Sequence, residues 1–517
     1  MTGLVDWAVE RSRMILAMVL LSIGAGVIAY FSLPKEGSPN IDVPILFVSV
    51  PLPGVSATDS ERLMVKPLEA KLRGVEGLDE ITAYATEGHA GVLLKFDFDW
   101  DKAGTIADVR DKVDQAKAEM PAEVEEPQVI EVNLSAFPIL VISLSGDVPE
   151  RTLLRLAKEM QRDIESISSV LDAGLAGHRD EMLEVTIDPL KMEAYNVTAQ
   201  ELLAVVSNNN ALVAAGSMEN GAGSFGVKLP GSFETAAELY RLPVRLVGDR
   251  MVNLGDIATI KRTYEDATGT ARYNGDKTVA LQVKKRVGEN IIETVANVRA
   301  QVAASTAEWP ETLRDSVEIS FSMDESIQVK SMVKQLEGSV LTAVLLVMVV
   351  VVLTLGFRSS LLVGIAIPCS FLLSFALLAL LGMSVNNMVM FGLILAVGML
   401  VDGAIVVAEY ADRRLSEGAA PDVAYAEAAR RMFWPIVSST ATTLCAFLPM
   451  LFWPGMPGQF MGQLPVTLIF VLSASLIVAL IFLPVLGQIL ARILHFFFAP
   501  VIRISRGLTK SIFGQKR

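Results

Sequence analysis

Apolar runs lie at the two ends of this chain, with a mixed, charge-rich stretch between them. Met14 to Phe31 is apolar, Ser32 to about Gly338 interleaves polar and apolar positions, and Val340 to about Ile493 returns to long apolar runs. A helix needs about 20 apolar residues to cross a ~30 Å hydrocarbon core. Six windows qualify: 14–33, 339–356, 361–381, 388–410, 435–452 and 466–490. Each is expected to be a transmembrane helix, with 491–517 left as a tail. The first run has a long apolar core, Asp6 and Glu10 precede it, and Ser32-Leu-Pro-Lys-Glu-Gly has no small-x-small cleavage pattern. It is therefore read as an uncleaved anchor rather than a signal peptide.

The middle stretch has its own periodicity. Pro44-Ile-Leu-Phe-Val-Ser-Val50 recurs as Pro138-Ile-Leu-Val-Ile-Ser-Leu144, and both are strand-like. A helical pattern follows each, Ser60–Arg73 and Glu150–Ile164, and each leads into a further strand. Two β-α-β units predict two split βαβ, ferredoxin-like modules. The first, 34–135, is completed by Gly91–Phe98 and the helix Thr105–Met120. The second, 136–180 and 266–325, is completed only by Thr278–Lys284, Asn290–Ala304 and Ser316–Phe321. The intervening 181–265 predicts an inserted subdomain with a helix at Thr198–Asn208. Its Gly-rich stretch Asn220–Gly226 reads as an extended hairpin or as a surface loop.

Composition agrees with that segregation. Of 517 residues 52% are hydrophobic and 20% charged, at a mean hydropathy of +0.47. Arg11 and Arg13, Arg358, then Arg413, Arg414, Arg430 and Arg431, and finally Arg492 onward fall on alternate connections. Ser384–Asn387 and Trp453–Leu464 carry no Lys or Arg. By the positive-inside rule both termini are cytoplasmic and the large aqueous portion lies on the far side of the membrane. Cys369 and Cys445 both fall in apolar spans, so that portion has no disulfide. The net charge of −13 excludes a nucleic-acid binder.

One ionisable group falls deep in an apolar window: Asp402, within Gly392–Ala408. A mid-bilayer carboxylate costs about 2.5–3.5 kcal/mol on insertion scales and marks an ion or proton pathway by default. Gly398, Gly403 and Ala404 flank it, which predicts close helix packing around the carboxylate. If the charged and neutral acids prefer different packings, proton entry and exit drive a two-state cycle. Possible relay or packing supports are Gly403, Glu409 two turns on, and the fifth-span hydroxyls Ser438 and Thr442, with Ser439, Thr440 and Thr443 beside them. In the bland alternative these hydroxyls only satisfy a packing carboxylate, and Glu409 only anchors the helix at the boundary. Asn386 and Asn387 are expected to cap the fourth helix.

Other chemistries fit poorly. His89, His178 and His495 are scattered, there is no CxxC or HExxH, and the 21 methionines show no clustered spacing. No metal site or cofactor is expected. An intramembrane aspartyl protease needs two carboxylates sharing a proton, and no other span carries an acid at mid-depth.

Six spans, the large insertion after the first, and Gly398-Met-Leu-Val-Asp402-Gly-Ala-Ile-Val-Val-Ala-Glu409 resemble the resistance–nodulation–division (RND) efflux permeases. So do Leu33-Pro-Lys-Glu-Gly37, Pro53-Gly-Val-Ser-Ala-Thr58, Ala214-Ala-Gly216, Phe357-Arg-Ser-Ser360 and Asn387-Met-Val-Met-Phe-Gly392. The resemblance implies a membrane α+β fold: a six-helix bundle with a periplasmic insertion of two porter subdomains and a docking subdomain whose arm reaches a neighbouring protomer. It implies an inner-membrane homotrimer that exports hydrophobic or amphipathic compounds through a periplasmic adaptor protein and an outer-membrane channel. Asp402 matches the family's proton-carrying aspartate. Gly403 stands where many drug exporters have a second Asp. The relay lysine of the family lies in a second six-span half, so the resemblance casts this chain as an amino-terminal half needing that partner. Phe137 is the nearest candidate for a substrate-lining aromatic, and is equally readable as core. Heavy-metal export and a non-transporting membrane-anchored scaffold or sensor are the alternative functions.

Overall fold

The computed structural model describes residues 3–133, 137–210, 213–220, 223–229, 233, 235–247, 250–267 and 269–491. Residues 492–517, with His495, lie outside the described residues. Helix α1 (Ser12–Ser32) is the first apolar span. Strand β1 (Ile45–Pro51) follows, with Leu46, Val48 and Val50 buried and the intervening positions half-buried, as a period of two requires. A short π-turn, Glu61–Val65, feeds α2 (Lys66–Leu72), which leads to the hairpin of β2 (Leu78–Thr86) and β3 (His89–Phe96). Helix α3 (Lys102–Lys117) and β4 (Gln128–Glu131) complete the unit. The sheet runs β2-β3-β1-β4 with every pairing antiparallel, so β1 and β2 are parallel with β3 between them.

The same order recurs with a long interruption. Strand β5 (Leu140–Gly146), α4 (Glu150–Glu165) and β6 (Val170–Ala176) open a second unit. The chain then leaves through β7 (Glu181–Ile187), α5 (Ala199–Asn209) and the hairpin of β8 (Val213–Asn220) and β9 (Gly223–Leu229), and returns along β10 (Ala258–Tyr264), antiparallel to β7. The strands on either side of residues 221–222 thus pair antiparallel, as the hairpin reading of the Gly-rich stretch expects, with 221–222 themselves outside the described residues. Strand β11 (Asp276–Lys285), α6 (Ile291–Ala307) and β12 (Val317–Ser322) close a sheet in which β11 pairs with both β6 and β5, and β5 with β12, all antiparallel. Each unit buries its own core, one around Leu68, Leu94 and Val109, the other around Ile142, Leu281 and Val298.

Five further spans follow. Helix α7 (Glu325–Leu355) starts well before its apolar window because Val329, at its head, belongs to the second sheet's core. Helix α8 (Phe357–Leu380) packs on α1 so closely that a Cβ at Gly26 would lie 2.3 Å from the Leu372 carbonyl oxygen, the small-residue contact that lets apolar helices meet. The fourth span is two helices, α9 (Asn387–Met399) and α10 (Asp402–Ser416). Helix α11 (Pro421–Phe447) starts earlier than its apolar window, and α12 (Gln463–Ile477) continues through a π-turn at Val478–Phe482. The third and sixth spans are largely buried, whereas α7 and α11 are mostly uncovered. Asn386 alone caps α9, its carboxamide oxygen accepting from Met388 and Val389 N–H at 3.1 Å each; Asn387 is the first helical residue.

Candidate functional site: a carboxylate at a broken helix

Asp402 is the first residue of α10, directly after the Leu400–Val401 interruption of the fourth span. Helix starts leave backbone N–H groups without intrahelical acceptors and suit acidic side chains. Within hydrocarbon such an interruption must be satisfied locally. Ser475 of α12 does this: its buried hydroxyl donates to the Leu400 carbonyl at 2.7 Å. The break was invisible in the sequence, because Val-Gly-Met-Leu-Val reads as uninterrupted apolar helix.

A cavity of about 140 Å³ opens beside Asp402, lined also by Met399, Pro435, Ser439, Thr440 and Ser475. All three surrounding spans are irregular there: the α9–α10 break, Pro435 inside α11, and the π-turn that brings Ala479 to the wall. Proline and π-turns leave backbone polar groups unpaired and make a helix deformable at that point.

The small residues do not enclose the carboxylate. Ala404 is buried, and a Cβ at Gly403 would lie 3.2 Å from Ile436 Cγ2 and 3.4 Å from Ala479 Cβ, so this side of α10 is tightly packed. Asp402 itself is exposed, at the edge of the cavity it shares with α11 and α12. The close packing expected around the carboxylate is found on one side: glycine and alanine seat that side of the helix, while the acid is exposed and borders the cavity that α11 and α12 line. Among the described residues it makes no hydrogen bond or ion pair.

Nor do the fifth-span hydroxyls satisfy it. Ser438 donates to the Pro435 carbonyl at 3.1 Å, Thr442 to Ser438 at 2.8 Å and Thr443 to Ser439 at 3.1 Å, all within α11. Ser439 and Thr440, not Ser438 and Thr442, line the cavity. Glu409 is exposed and bonds to neither Asp402 nor the nearby network, in which Tyr410 and Arg414 both donate to Glu427, at 3.2 and 2.9 Å.

A second, larger cavity, about 740 Å³, lies where the first sheet unit meets the bundle. It presents Asp97 and Asp99 against Phe98, Met383, Leu451 and Trp453, acids facing apolar and aromatic surface. No sequence pattern points to it, because its walls come from four separate segments, around Asn40, Asp97, Met383 and Trp453. Phe137 is 64% exposed and belongs to neither cavity nor core. The described residues contain no His/Cys/Asp/Glu group able to hold a metal ion.

Residues 4–497 match the AcrB/AcrD/AcrF family, and the chain belongs to it. Among curated proteins it is 28% identical over 477 residues to the multidrug resistance protein MdtC of Shigella boydii serotype 4 (strain Sb227) and to that of Escherichia coli O157:H7 (strain EC4115 / EHEC). The same identity and span hold for MdtC of Escherichia fergusonii. These alignments cover 91% of this chain and 46% of each relative, so the chain spans about half the length of the curated relatives it matches.

Proposed function

We propose that this chain is the amino-terminal half of an RND permease that exports hydrophobic or amphipathic compounds at the expense of the proton gradient, with Asp402 as the proton-binding site. The observation that carries this reading is an exposed carboxylate in an apolar span, without a partner among the described residues, set at a helix break beside a cavity. A carboxylate so placed needs a counter-group, and the uncovered face of α10 and α11 is where a second six-span unit bearing a mid-depth cation would pack. Proton gain and loss there supplies about 2.3 kcal/mol per charge per 100 mV, plus about 1.4 kcal/mol per pH unit. The break, Pro435 and the π-turn give the bundle places to yield when that charge changes. With Gly403 beside it rather than a second acid, the site carries one titrating carboxylate per chain.

In this reading 34–135 and the pair 136–180 with 266–325 are split βαβ porter subdomains, and 181–265 is the docking subdomain whose β8–β9 hairpin reaches a neighbouring protomer. The termini lie in the cytoplasm and the large portion in the periplasm, with a homotrimer, an adaptor and an outer-membrane channel completing the path. The cavity around Asp97, Asp99 and Trp453 suits an amphipathic cation lying at the outer surface of the membrane. The family membership and the MdtC relatives support multidrug rather than metal export.

The decisive test is Asp402→Asn in the complete assembly reconstituted in liposomes. Export of a fluorescent lipophilic cation, driven by an imposed pH gradient, is expected to fall to background while the assembly stays intact by size-exclusion chromatography. Gradient-dependent export at the wild-type rate would refute the assignment. The same measurement separates the scaffold reading, in which this chain only anchors its aqueous units and no gradient-driven flux appears at all.

A further inference from the structure

The segment Leu33–Gly37, where α1 leaves the membrane, is tied on both sides. On the bundle side it meets the start of the Asp402-bearing span. The Val385 N–H donates to the Pro34 carbonyl at 2.9 Å, Glu36 N–H to the Val385 carbonyl at 3.0 Å, and Asn387 N–H to Gly37 at 3.4 Å. Lys35 and Val385 form a parallel β-bridge there. On the other side Ile291 N–H, at the head of α6, donates to the Lys35 carbonyl at 3.1 Å. Glu36 takes the ammonium of Lys285, at the end of β11, at 2.5 Å, and the two residues are only 5% and 8% exposed. Strand β11 lies between β5 and β6, so Lys285 reports on the middle of the second sheet.

A buried ion pair is weak evidence for stability, since apolar groups of similar volume often hold a fold as well. What it does supply is a contact with one permitted register, lost as a whole when either charge is removed. We infer that the Glu36–Lys285 pair, with the Leu33–Gly37 segment around it, is the coupling strut through which displacement of the Asp402-bearing span is handed to the second sheet unit. Glu36 and Lys285 are positioning residues: they touch neither proton site nor cavity. Among the described residues the first sheet unit instead borders the bundle around the open cavity at Asp97 and Trp453. The inference rests on the proposed role of Asp402, and its test separates the two.

In the complete assembly in nanodiscs, with Cys369 and Cys445 replaced by Ala, spin labels are placed at Lys158 and Arg431 in one sample and at Asp114 and Arg431 in another. Asp402→Asn is expected to shift the Lys158–Arg431 distance distribution and leave Asp114–Arg431 in place. Adding Glu36→Gln or Lys285→Met removes the shift and lowers export about 2- to 30-fold. The reversed pair Glu36→Lys with Lys285→Glu restores both, which a general loss of folding would not. A shift of undiminished size in the Glu36→Gln background overturns the strut. No shift with Asp402→Asn alone sinks the role of Asp402, and the strut with it.

Discussion

The two sheet units share one strand order yet meet the membrane bundle in opposite ways. The first touches it around a water-accessible cavity of about 740 Å³ between Asp97, Asp99 and Trp453. The second meets it through a dry seam: a buried ion pair, a β-bridge, and Val329 of α7 seated in the sheet's own core. Similar folds can thus be assigned different mechanical roles by their junctions alone. A unit facing a cavity is free to admit or release a ligand, while a unit bonded to the bundle must follow it.

The strongest way to break that comparison is a matched pair of core deletions. Leu94→Ala and Leu281→Ala each remove a fully buried leucine from the corresponding sheet, and each is expected to cost about 2–5 kcal/mol. Hydrogen exchange then separates them. Leu281→Ala should raise exchange at Glu36, Val385 and Ile291, whereas Leu94→Ala should leave those amides protected. Equal loosening of the seam by both variants would show that the units are not independent.

A smaller effect sharpens the seam. Asp324 caps α7, accepting from the Ser326 hydroxyl at 2.6 Å and N–H at 2.9 Å and from Arg299 at 2.7 Å. Burial pushes its carboxyl up, but these donors outweigh it and hold the group below the usual carboxylate range. Its contribution is therefore full above the unfolded value of about 3.9 and is lost as pH falls through the lower folded value. Asp324→Ala should cost about 0.5–2 kcal/mol at pH 7, and the difference from wild type should shrink on acidification below about pH 4. Thermal melts at both pH values check this.

The smallest expected change lies on the first unit. Lys102 bridges Asp42 and Glu131 at 3.2 and 2.6 Å on an accessible rim. Lys102→Met should change stability by about 0–1 kcal/mol and leave the second unit's exchange pattern alone.

Much of this architecture was legible because it is written in short-range periodicity. Six apolar windows, the recurring Ile-Leu strands after Pro44 and Pro138, and the helices that follow them all depend on residue spacing of two or 3.6, which a linear chain displays directly. Asp402 stood out for the same reason, as one acid in an apolar field. The sequence alone therefore determined the kinds of element, their order and the residue around which function is proposed.

Everything that depends on residues remote in the chain was decided by the tertiary structure. Helix α7 begins at Glu325 because Val329 is claimed by a sheet, and the fourth span breaks before Asp402 where Ser475 is at hand to take the Leu400 carbonyl. Whether Asp402 faces inward or outward, and whether Glu36 finds Lys285, turn on how helices and strands dock. Those energies come from contacts between groups tens to hundreds of residues apart, and no local pattern encodes them.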